Sequence, residues 1–243
     1  MRDRTVLLTG ASRGIGHATA KRFVAAGWRV ITCSRGPLPP ECQRRSGIYD
    51  HIEVDFSDPV STQHAVHDAH RRLPDGKLDA LVNNAGLSPK SSSGARLGAL
   101  STSPHVWEEV FQVNFFAPLM LSIGLISHLE AARGAIVNVT SIAATRVHPF
   151  ASAAYATSKA ALTALTRELA SDAGARGVRV NSIAPGEIQT SMLSSDSKYL
   201  TSEIPMGRFG SPDEVASLII YLCSPQASYI NGAEVHIDGG QIV

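Results

Sequence analysis

The chain has 243 residues, of which 44% are hydrophobic and 18% charged, a balance typical of a folded globular protein rather than a disordered one. Its 22 basic and 21 acidic residues leave a net charge of +1, which favours neither nucleic acid nor an anionic membrane as a partner. The widely spaced Cys33, Cys42 and Cys223 predict no disulfide framework and no zinc pair, so we expect a reducing, cytoplasmic setting.

The first apolar run, at residues 6–8, is too short for a signal peptide. No segment holds the roughly 18 uninterrupted apolar residues that a membrane span needs, so we expect none.

Short apolar segments alternate with segments of helical period along the whole chain. In chain order the pattern predicts a strand at 5–9, a helix at 14–26, strands at 29–33 and 51–54, a helix at 62–72, a strand at 80–83, a helix at 105–128, a strand at 135–139, a helix at 152–173, a strand at 178–183, a helix at 212–223 and a strand at 234–238. Strands that are apolar throughout and separated by helices indicate a parallel sheet covered on both faces. Because no repeat or linker divides the chain, we expect one domain over residues 1–243.

Two segments are predicted to be irregular. Residues 35–49 contain three prolines, which disfavour a helix, and residues 88–104 are rich in Ser, Gly and Pro. A loop as long as the second one is usually functional or disordered.

Glycines cluster between the first predicted strand and the first helix. Gly10, Gly14 and Gly16 are spaced as Gly-x-x-x-Gly-x-Gly. Glycines at such a point let the backbone turn tightly and approach a pyrophosphate, whose charge is met by the helix N-terminus. An ordinary tight turn is the alternative, and the position at the end of the first strand favours the phosphate site.

Tyr155 and Lys159 lie one turn apart in an apolar helical segment and therefore share a face. A phenol with a reference pKa of about 10 is a poor acid at neutral pH. A cation one turn away favours the phenolate and lowers that pKa, as general acid–base catalysis requires. Taken alone, the pattern also fits a packed tyrosine beside a solvated lysine.

Together these features resemble the short-chain dehydrogenase/reductase family, over essentially the whole chain. The matching positions, in order, are 9–16, Asp55, 83–86, Asn114, Ser141, Tyr155 with Lys159, 185–190, 229–232 and 238–240. The Asp-Gly-Gly ending at 238–240 is most similar to the 3-oxoacyl-[acyl-carrier-protein] reductase branch. The resemblance implies an α/β fold of Rossmann type, a doubly wound parallel sheet of about seven strands in three layers, and a homotetramer.

The resemblance also implies catalytic roles. Tyr155 would be the general acid that protonates the carbonyl oxygen during reduction, and the base in the reverse direction. Ser141 would hydrogen-bond the same oxygen and stabilise its developing charge. Lys159 would bind the nicotinamide ribose and lower the pKa of Tyr155, while Asn114 would help to hold a water that links Lys159 to solvent.

The implied cofactor is a nicotinamide dinucleotide, which supplies the hydride. Asn84 and the backbone near Asp55 would line the adenosine side, and Ile188 and Thr190 would contact the carboxamide. The full predicted cofactor set is Gly10, Ser12, Arg13, Gly14, Ile15, Gly16, Ser34, Arg35, Asp55, Phe56, Asn84, Tyr155, Lys159, Pro185, Gly186, Ile188 and Thr190.

Several of these positions have structural alternatives. Asn83 and Asn84 could be turn residues at a strand end, and Asp55 could cap the turn that follows it. Asn114 could mark a helix kink, and residues 185–186 could form only a turn.

The end of the second strand favours NADP(H) over NAD(H). NAD-preferring relatives place an acidic residue there, which binds the adenosine ribose and repels a 2′-phosphate. Here Ser34 stands in that position, Arg35 follows it, and Arg13 projects from the glycine-rich turn towards the same corner. Two guanidinium groups around one phosphate would make charge-assisted hydrogen bonds. The alternative is that both arginines are solvated and bind no phosphate.

The substrate side departs from the family pattern. Ser141 precedes Tyr155 by 14 residues, one more than usual, and the extra residue falls in the loop 143–151. We expect His148 and Phe150 of that loop to face the substrate, with an ordinary surface position as the alternative for His148. The loop after residues 84–86 is longer than usual, and the segment 190–205 looks short for a substrate flap.

The sequence therefore predicts an NADP(H)-dependent oxidoreductase that interconverts a small carbonyl compound and a secondary alcohol. A 3-oxoacyl-thioester reductase of fatty-acid or polyketide type is the alternative within that class. A catalytically silent dinucleotide-binding regulator would be expected to lose Ser141, Tyr155 or Lys159, and none is lost. A sugar-nucleotide epimerase would need more than the 53 residues that follow Thr190.

His64, His67 and His70 recur at helical spacing and raise the question of a metal site. The helix looks exposed and no carboxylates are patterned to support these imidazoles, so we expect no metal. The expected partners are a small substrate and further copies of the chain. The predicted helix at 152–173 carries small and apolar groups suited to close contact between helices, namely Ala160, Ala161, Ala164 and Leu165. The alternative is that this face packs on its own sheet.

Overall fold

The computed structural model describes residues 4–36, 49–73, 75–190 and 201–243. Within them, seven strands form one parallel sheet in the order β3-β2-β1-β4-β5-β6-β7. The strands are β1 (Thr5–Thr9), β2 (Arg29–Ser34), β3 (Tyr49–Glu53), β4 (Ala80–Asn83), β5 (Ala135–Val139), β6 (Arg179–Pro185) and β7 (Glu234–Ile237). The strand order reverses between β1 and β4, and such switch points are where open α/β sheets bind ligands.

Helices cover both faces of this sheet. They are α1 (Gly14–Ala25), α2 (Pro59–Arg72), α3 (Pro104–Phe111), α4 (Ala117–Ala132), α5 (Ala153–Gly174) and α6 (Pro212–Leu222). Helices α1 and α6 pack together on one face, and α2, α4 and α5 contribute to the core on the other. The three-layer, doubly wound fold predicted from the sequence is confirmed.

The strand sequences are apolar because both faces of the sheet are buried. In β1, Leu7 belongs to the core cluster under α2, α4 and α5, whereas Val6 and Leu8 belong to the cluster under α1 and α6. All three side chains are completely buried. Successive side chains of the strand thus point into two different cores, and none points to solvent. The strand therefore lacks the polar positions that a half-exposed strand would carry.

The structure shows two helices, separated by a π-helical segment, where one helix was predicted at 105–128. Helix α3 ends at Phe111, a π-helical segment follows at Gln112–Phe116, and α4 continues to Ala132. The segment places Asn114, which is fully buried, so that its side chain bonds the backbone of Leu87. Asn114 therefore lies at an irregular point of the helix, and both the role that the resemblance implies and the helix-kink alternative stay predictions.

The stretch Pro104–Ala132, taken as one helix, is long and apolar enough to cross a membrane by length and composition, which the sequence patterns did not predict. Such a test is a weak indication, because core helices of soluble proteins also pass it. Leu121, Leu125 and Leu129 of this helix are completely buried in the core beside α2. It is therefore part of a layer that covers the sheet.

The predicted irregular loops are only partly within the described residues. Residues 88–104 form a long loop, in which Lys90 and Arg96 make an isolated antiparallel bridge. Most of the irregular segment 35–49, with Cys42, and most of the flap 190–205 lie outside the described residues.

Candidate active site

A cavity of about 550 Å³ lies at the carboxyl ends of the strands, across the switch point. Every predicted catalytic or cofactor-binding residue lines it, with the exception of Asn114. One end is formed by the glycine-rich turn and the ends of β2 and β3. The other end is formed by the loops that follow β4, β5 and β6.

The glycine-rich turn can be formed only by glycine at its critical positions. Gly10 and Gly14 have φ angles of +71° and +56°, which side chains with a Cβ rarely adopt. A Cβ on Gly16 would lie 2.2 Å from the carbonyl oxygen of Gly10. Asn84 supports the turn from β4, because its Nδ2 donates to the carbonyl oxygens of Thr9 and Gly10 at 2.9 and 3.1 Å. Asn84 is therefore structural as well as cavity-lining.

Helix α1 points its N-terminus into the cavity. The helix begins at Gly14, directly after Arg13, whose own side chain makes no capping hydrogen bond. The first turn of a helix presents free N–H groups and a partial positive charge, which together suit an anion. Turn and helix thus form a cradle that fits the pyrophosphate of a dinucleotide.

Ser34, Arg35 and Asp55 form the far corner of the cavity. The Ser34 hydroxyl donates to the carbonyl oxygen of Gly36 at 2.9 Å, and the Arg35 side chain is exposed. Asp55 accepts from the backbone N–H and the hydroxyl of Ser57 at 3.0 and 2.8 Å. These two bonds, aided by the positive charge of Arg35, hold the pKa of Asp55 below its ordinary value. Asp55 therefore caps the turn, as its structural alternative proposed, while also lining the cavity.

Tyr155 lies in the first turn of α5. The hydroxyl of Ser152 caps this helix and accepts from the backbone N–H of Tyr155 at 3.2 Å. Ser141 follows β5, caps the short 3₁₀ turn Ile142–Ala144, and is hydrogen-bonded to the Tyr155 hydroxyl. The extra residue in the loop 143–151 thus does not separate the two side chains.

Burial raises the pKa of Tyr155 above its ordinary value of 10, the Ser141 hydrogen bond lowers it, and the negative charge of Glu187 raises it further. The net direction is upward, opposite to the lowering expected from Lys159. A sequence pattern shows the cation but neither the burial nor the anion from a distant loop. A raised pKa leaves Tyr155 protonated at neutral pH, which is the form that donates a proton.

Lys159 is 2% exposed, and its Nζ lies 5.7 Å from the ring centroid of Tyr155. Nζ donates to the carbonyl oxygen of Val139 at 2.6 Å. Burial lowers the pKa of Lys159 to about 8. The amine is therefore charged at neutral pH and loses its charge within the mildly alkaline range.

Asn114 lies behind the cavity wall. Its Oδ1 accepts from the Leu87 N–H at 2.7 Å, and its Nδ2 donates to the Leu87 carbonyl and the Ser158 hydroxyl at 3.0 and 2.9 Å. A Cβ on Gly86 would lie 3.4 Å from Lys159 Nζ and 3.6 Å from Asn114 Oδ1, so the two side chains flank Gly86. This geometry fixes the loop after β4, and the water-holding role stays a prediction.

The loop after β6 forms another wall of the cavity. At Gly186 a Cβ would lie 2.8 Å from the backbone of Asp238, so the close approach requires glycine. Ile188 is buried, and the methyl group of Thr190 would lie 3.3 Å from a Cβ on Gly14. The loop therefore reaches back to the glycine-rich turn across the cavity.

Sequence reasoning missed a group of residues at the other end of the cavity. His148 and Phe150 line it as expected, and the surface alternative for His148 is wrong because the residue is 7% exposed. Its Nε2 lies 2.6 Å from Oε1 of Glu187, which no motif had indicated. The further lining residues there that were not predicted include Leu87, Lys90, Glu109, Val113, Ile142 and Ala143.

Fold and cavity together define a Rossmann-type dinucleotide-binding protein with a Ser-Tyr-Lys group at one end of its binding cleft. A family model described as Enoyl-(Acyl carrier protein) reductase matches residues 10–241. Protein FixR of Bradyrhizobium diazoefficiens is 55% identical over 240 residues, covering 98% of this chain and 86% of that protein. The 3-oxoacyl-[acyl-carrier-protein] reductase FabG of Aquifex aeolicus is 36% identical over 251 residues, covering 99% and 98%.

A solved structure is also similar, that of a short-chain dehydrogenase/reductase family oxidoreductase from Brucella ovis in complex with a partially ordered NAD. It shares 53% identity and a TM-score of 0.83, over 98% of this chain and 100% of that one. The chain belongs to the short-chain dehydrogenase/reductase family. It is an oxidoreductase, and its cofactor is a nicotinamide dinucleotide.

Proposed function

We propose that this protein interconverts a small carbonyl compound and a secondary alcohol by hydride transfer with NADP(H), with Tyr155 as general acid and base. The observation that carries the proposal is the convergence of Ser141, Tyr155 and Lys159 in the cavity that the glycine-rich turn opens into. A catalytically silent regulator would not need the protonated Tyr155 hydroxyl next to Ser141 and the buried Lys159 ammonium.

The cofactor, when bound, supplies or accepts the hydride. Ser141 and the Tyr155 hydroxyl hold the carbonyl oxygen between two donors, which stabilises the negative charge that develops there. Tyr155 then gives its proton to that oxygen. Lys159 binds the ribose hydroxyls and, as a charged amine beside the ring, stabilises the phenolate that remains.

Replacing Tyr155 with Phe tests this assignment. Tyr155→Phe keeps the ring packing and removes the hydroxyl, so kcat should fall by roughly 100-fold or more while the Kd for the cofactor changes little. The assay follows NADPH oxidation with a panel of ketones, 3-oxoacyl thioesters, sugars and steroids. Tyr229→Phe, at a fully exposed position, is the matched control. Near-normal turnover by Tyr155→Phe would refute the mechanism.

Preference for NADP(H) rests on the corner formed by Ser34, Arg35 and Arg13, which all line the cavity. Both guanidinium groups are exposed there, and the nearest carboxylate, on Asp55, is engaged by Ser57. A charge-assisted hydrogen bond to a 2′-phosphate contributes about 1.5–3 kcal/mol, which gives roughly 10- to 100-fold preference.

The ratio of kcat/KM with NADPH to that with NADH measures this preference. The double variant Ser34→Asp with Arg35→Ile should reverse the ratio, because the new carboxylate accepts from the ribose hydroxyls and repels the phosphate. Its kcat with NADH should show that the Tyr155 chemistry is intact. Equal kcat/KM values for the two cofactors in the wild type would contradict the proposed preference for NADP(H).

A 3-oxoacyl-thioester reductase is the second candidate. It is favoured by the Asp-Gly-Gly ending at 238–240 and by the similarity to the Aquifex aeolicus reductase. The thioesters in the assay panel distinguish it from a reductase of simple ketones.

We further propose a cytoplasmic homotetramer in which residues 1–243 act as one domain, without nucleic acid, membrane or metal. Burial raises the pKa of Cys33 and of Cys223 to about 12, so both thiols are protonated and unreactive, as suits a reducing compartment. Exposed apolar side chains, including Ile123 on α4, provide surface for contact between subunits.

A further inference from the structure

Glu187 and His148 form a buried acid–imidazole pair at the substrate end of the cavity. Their side chains are 11% and 8% exposed, and both residues line the cavity. Glu187 belongs to the loop after β6, and His148 belongs to the loop between β5 and α5. The pair thus joins two loops that flank the Tyr155 hydroxyl.

The hydrogen bonds of His148 assign its tautomer. The backbone N–H of Phe150 donates to Nδ1 at 3.3 Å, so Nδ1 carries a lone pair. The proton therefore lies on Nε2, which donates to Oε1 of Glu187 at 2.6 Å. This contact anchors one oxygen of the Glu187 carboxylate in the cavity wall.

His148 engages Oε1 of Glu187. A carboxylate has about four lone-pair sites in all, so the group can accept further hydrogen bonds. The cavity wall around this end carries the apolar residues Leu87, Val113, Ile142 and Ala143, together with the charged residues Lys90 and Glu109. A hydrogen-bond donor on the ligand would stabilise a carboxylate in such surroundings, because a buried charge without a partner is costly.

Glu187 lines the same cavity as Ser141 and Tyr155. The Glu187 carboxylate is therefore part of the wall around the space that a substrate held by Tyr155 and Ser141 would occupy.

We propose that Glu187 selects substrates carrying a hydrogen-bond donor, a hydroxyl or an ammonium group, near the reacting carbon, with His148 as its positioning residue. The inference rests on the proposed carbonyl–alcohol function and names its substrate class: hydroxy ketones or amino ketones and the corresponding diols or amino alcohols. A site built around a polar group discriminates strongly against analogues that lack the partner.

Matched substrate pairs test the proposal. The measurement is kcat/KM for 3-hydroxy-2-butanone and 4-hydroxy-2-butanone relative to 2-butanone, with aminoacetone to distinguish an ammonium from a hydroxyl. The wild type should prefer the best donor-bearing ketone by roughly 10- to 100-fold, equivalent to about 1.5–3 kcal/mol for a charge-assisted hydrogen bond. In Glu187→Gln that ratio should fall at least about tenfold, whereas Glu168→Gln, which removes an exposed carboxylate that does not line the cavity, should leave the ratio unchanged.

His148 variants separate positioning from folding. His148→Gln keeps an amide donor for Glu187 and should retain most of the substrate preference. His148→Leu removes the donor and should raise KM for the donor-bearing ketone more than it lowers kcat. Equal loss of preference in both variants would contradict the positioning role.

The two proposals fail in different ways. If Tyr155→Phe keeps its turnover, the proposed function is wrong. If turnover depends on Tyr155 but the wild type shows no preference for donor-bearing ketones, or Glu187→Gln keeps that preference, only the role of Glu187 is overturned.

Discussion

At the scale of single residues, the site holds an ammonium group that folding alone would not favour. Lys159 is buried, and its pKa falls to about 8 from an ordinary value near 10.5 because burial disfavours the charged form. Its Nζ contacts the backbone carbonyl of Val139 and the ring of Tyr155. A charge in such a place reduces the free energy of unfolding, and the proposed function gives it a role in the chemistry at Tyr155.

Lys159→Met should therefore melt at a higher temperature than the wild type at pH 7, although it loses activity. The folded pKa lies below the unfolded one, so the wild type carries the full penalty below pH 8 and loses it as pH rises towards 10.5. Removing the charge should stabilise the cofactor-free protein by about 1–3 kcal/mol, or roughly 2–10 °C in Tm, and the gain should shrink at pH 10.

Thermal melts of wild type and variant at pH 7 and pH 10 make this measurement. Lys21→Met, at an exposed position on α1, is the control and should show no such pH-dependent difference. A lower Tm for Lys159→Met at pH 7 would mean that the ammonium stabilises the fold.

The grouping of Ser141, Tyr155 and Lys159 in one cavity could be predicted from the sequence because their positions are tied to local spacing. Tyr155 and Lys159 are one helical turn apart, and Ser141 follows the neighbouring strand β5. The direction of the Tyr155 pKa could not be predicted, since it depends on burial and on Glu187 from another loop. The Glu187–His148 contact was likewise invisible, because 39 residues separate the partners and no periodicity relates them.

At the scale of elements, sequence periodicity located each strand and helix but not the irregularity between α3 and α4. A π-helical segment adds no polar break to an apolar helical pattern, so the pattern runs through it. The segment contains Asn114, whose side chain bonds the backbone of Leu87 in the loop after β4. Such a contact between distant parts of the chain leaves no mark on the sequence pattern. Helix α2 begins three residues before the predicted position, at Pro59, where Asp58 caps it, whereas α6 begins at 212 as predicted, after its cap Ser211.

Packing between α2 and α4 depends on the absence of a side chain at Gly124. A Cβ there would lie 2.5 Å from Cγ1 of Val66. Gly124→Ala should therefore lower the free energy of unfolding by about 1–2 kcal/mol, although alanine favours a helix over glycine by nearly 1 kcal/mol. The decrease in Tm should be about 2–8 °C.

The Val66→Ala background provides the matched test by thermal or denaturant unfolding. With the larger side chain gone, Gly124→Ala should be neutral or stabilising, which gives a favourable interaction energy in the double-mutant cycle. Gly124→Ala with a Tm equal to or above that of the wild type would contradict the packing argument.

At the scale of the whole molecule, the sheet and the helical layers on its two faces could be predicted because the strand sequences are apolar throughout. The same sequence pattern says little about the outer surface, because a helix that is apolar all round is consistent with a core, a membrane or a second subunit. In the structure, α4 buries Leu121 and Leu125 but leaves Ile123 62% exposed, and Phe116 just before it is 46% exposed. Because positions 116 and 123 are seven residues apart, they fall on one side of the helix.

This exposed apolar face should be covered by further copies of the chain. Light scattering at micromolar concentration, without detergent, should give about four times the chain mass of 25.7 kDa.

Ile123→Glu places a charge where it would be desolvated between subunits, so it should shift the protein to smaller species. Val60→Glu, at an exposed position on α2, adds the same charge away from this face and should leave the mass unchanged. A wild-type mass of about 26 kDa would overturn the tetramer, and an unchanged mass for Ile123→Glu would move the interface elsewhere.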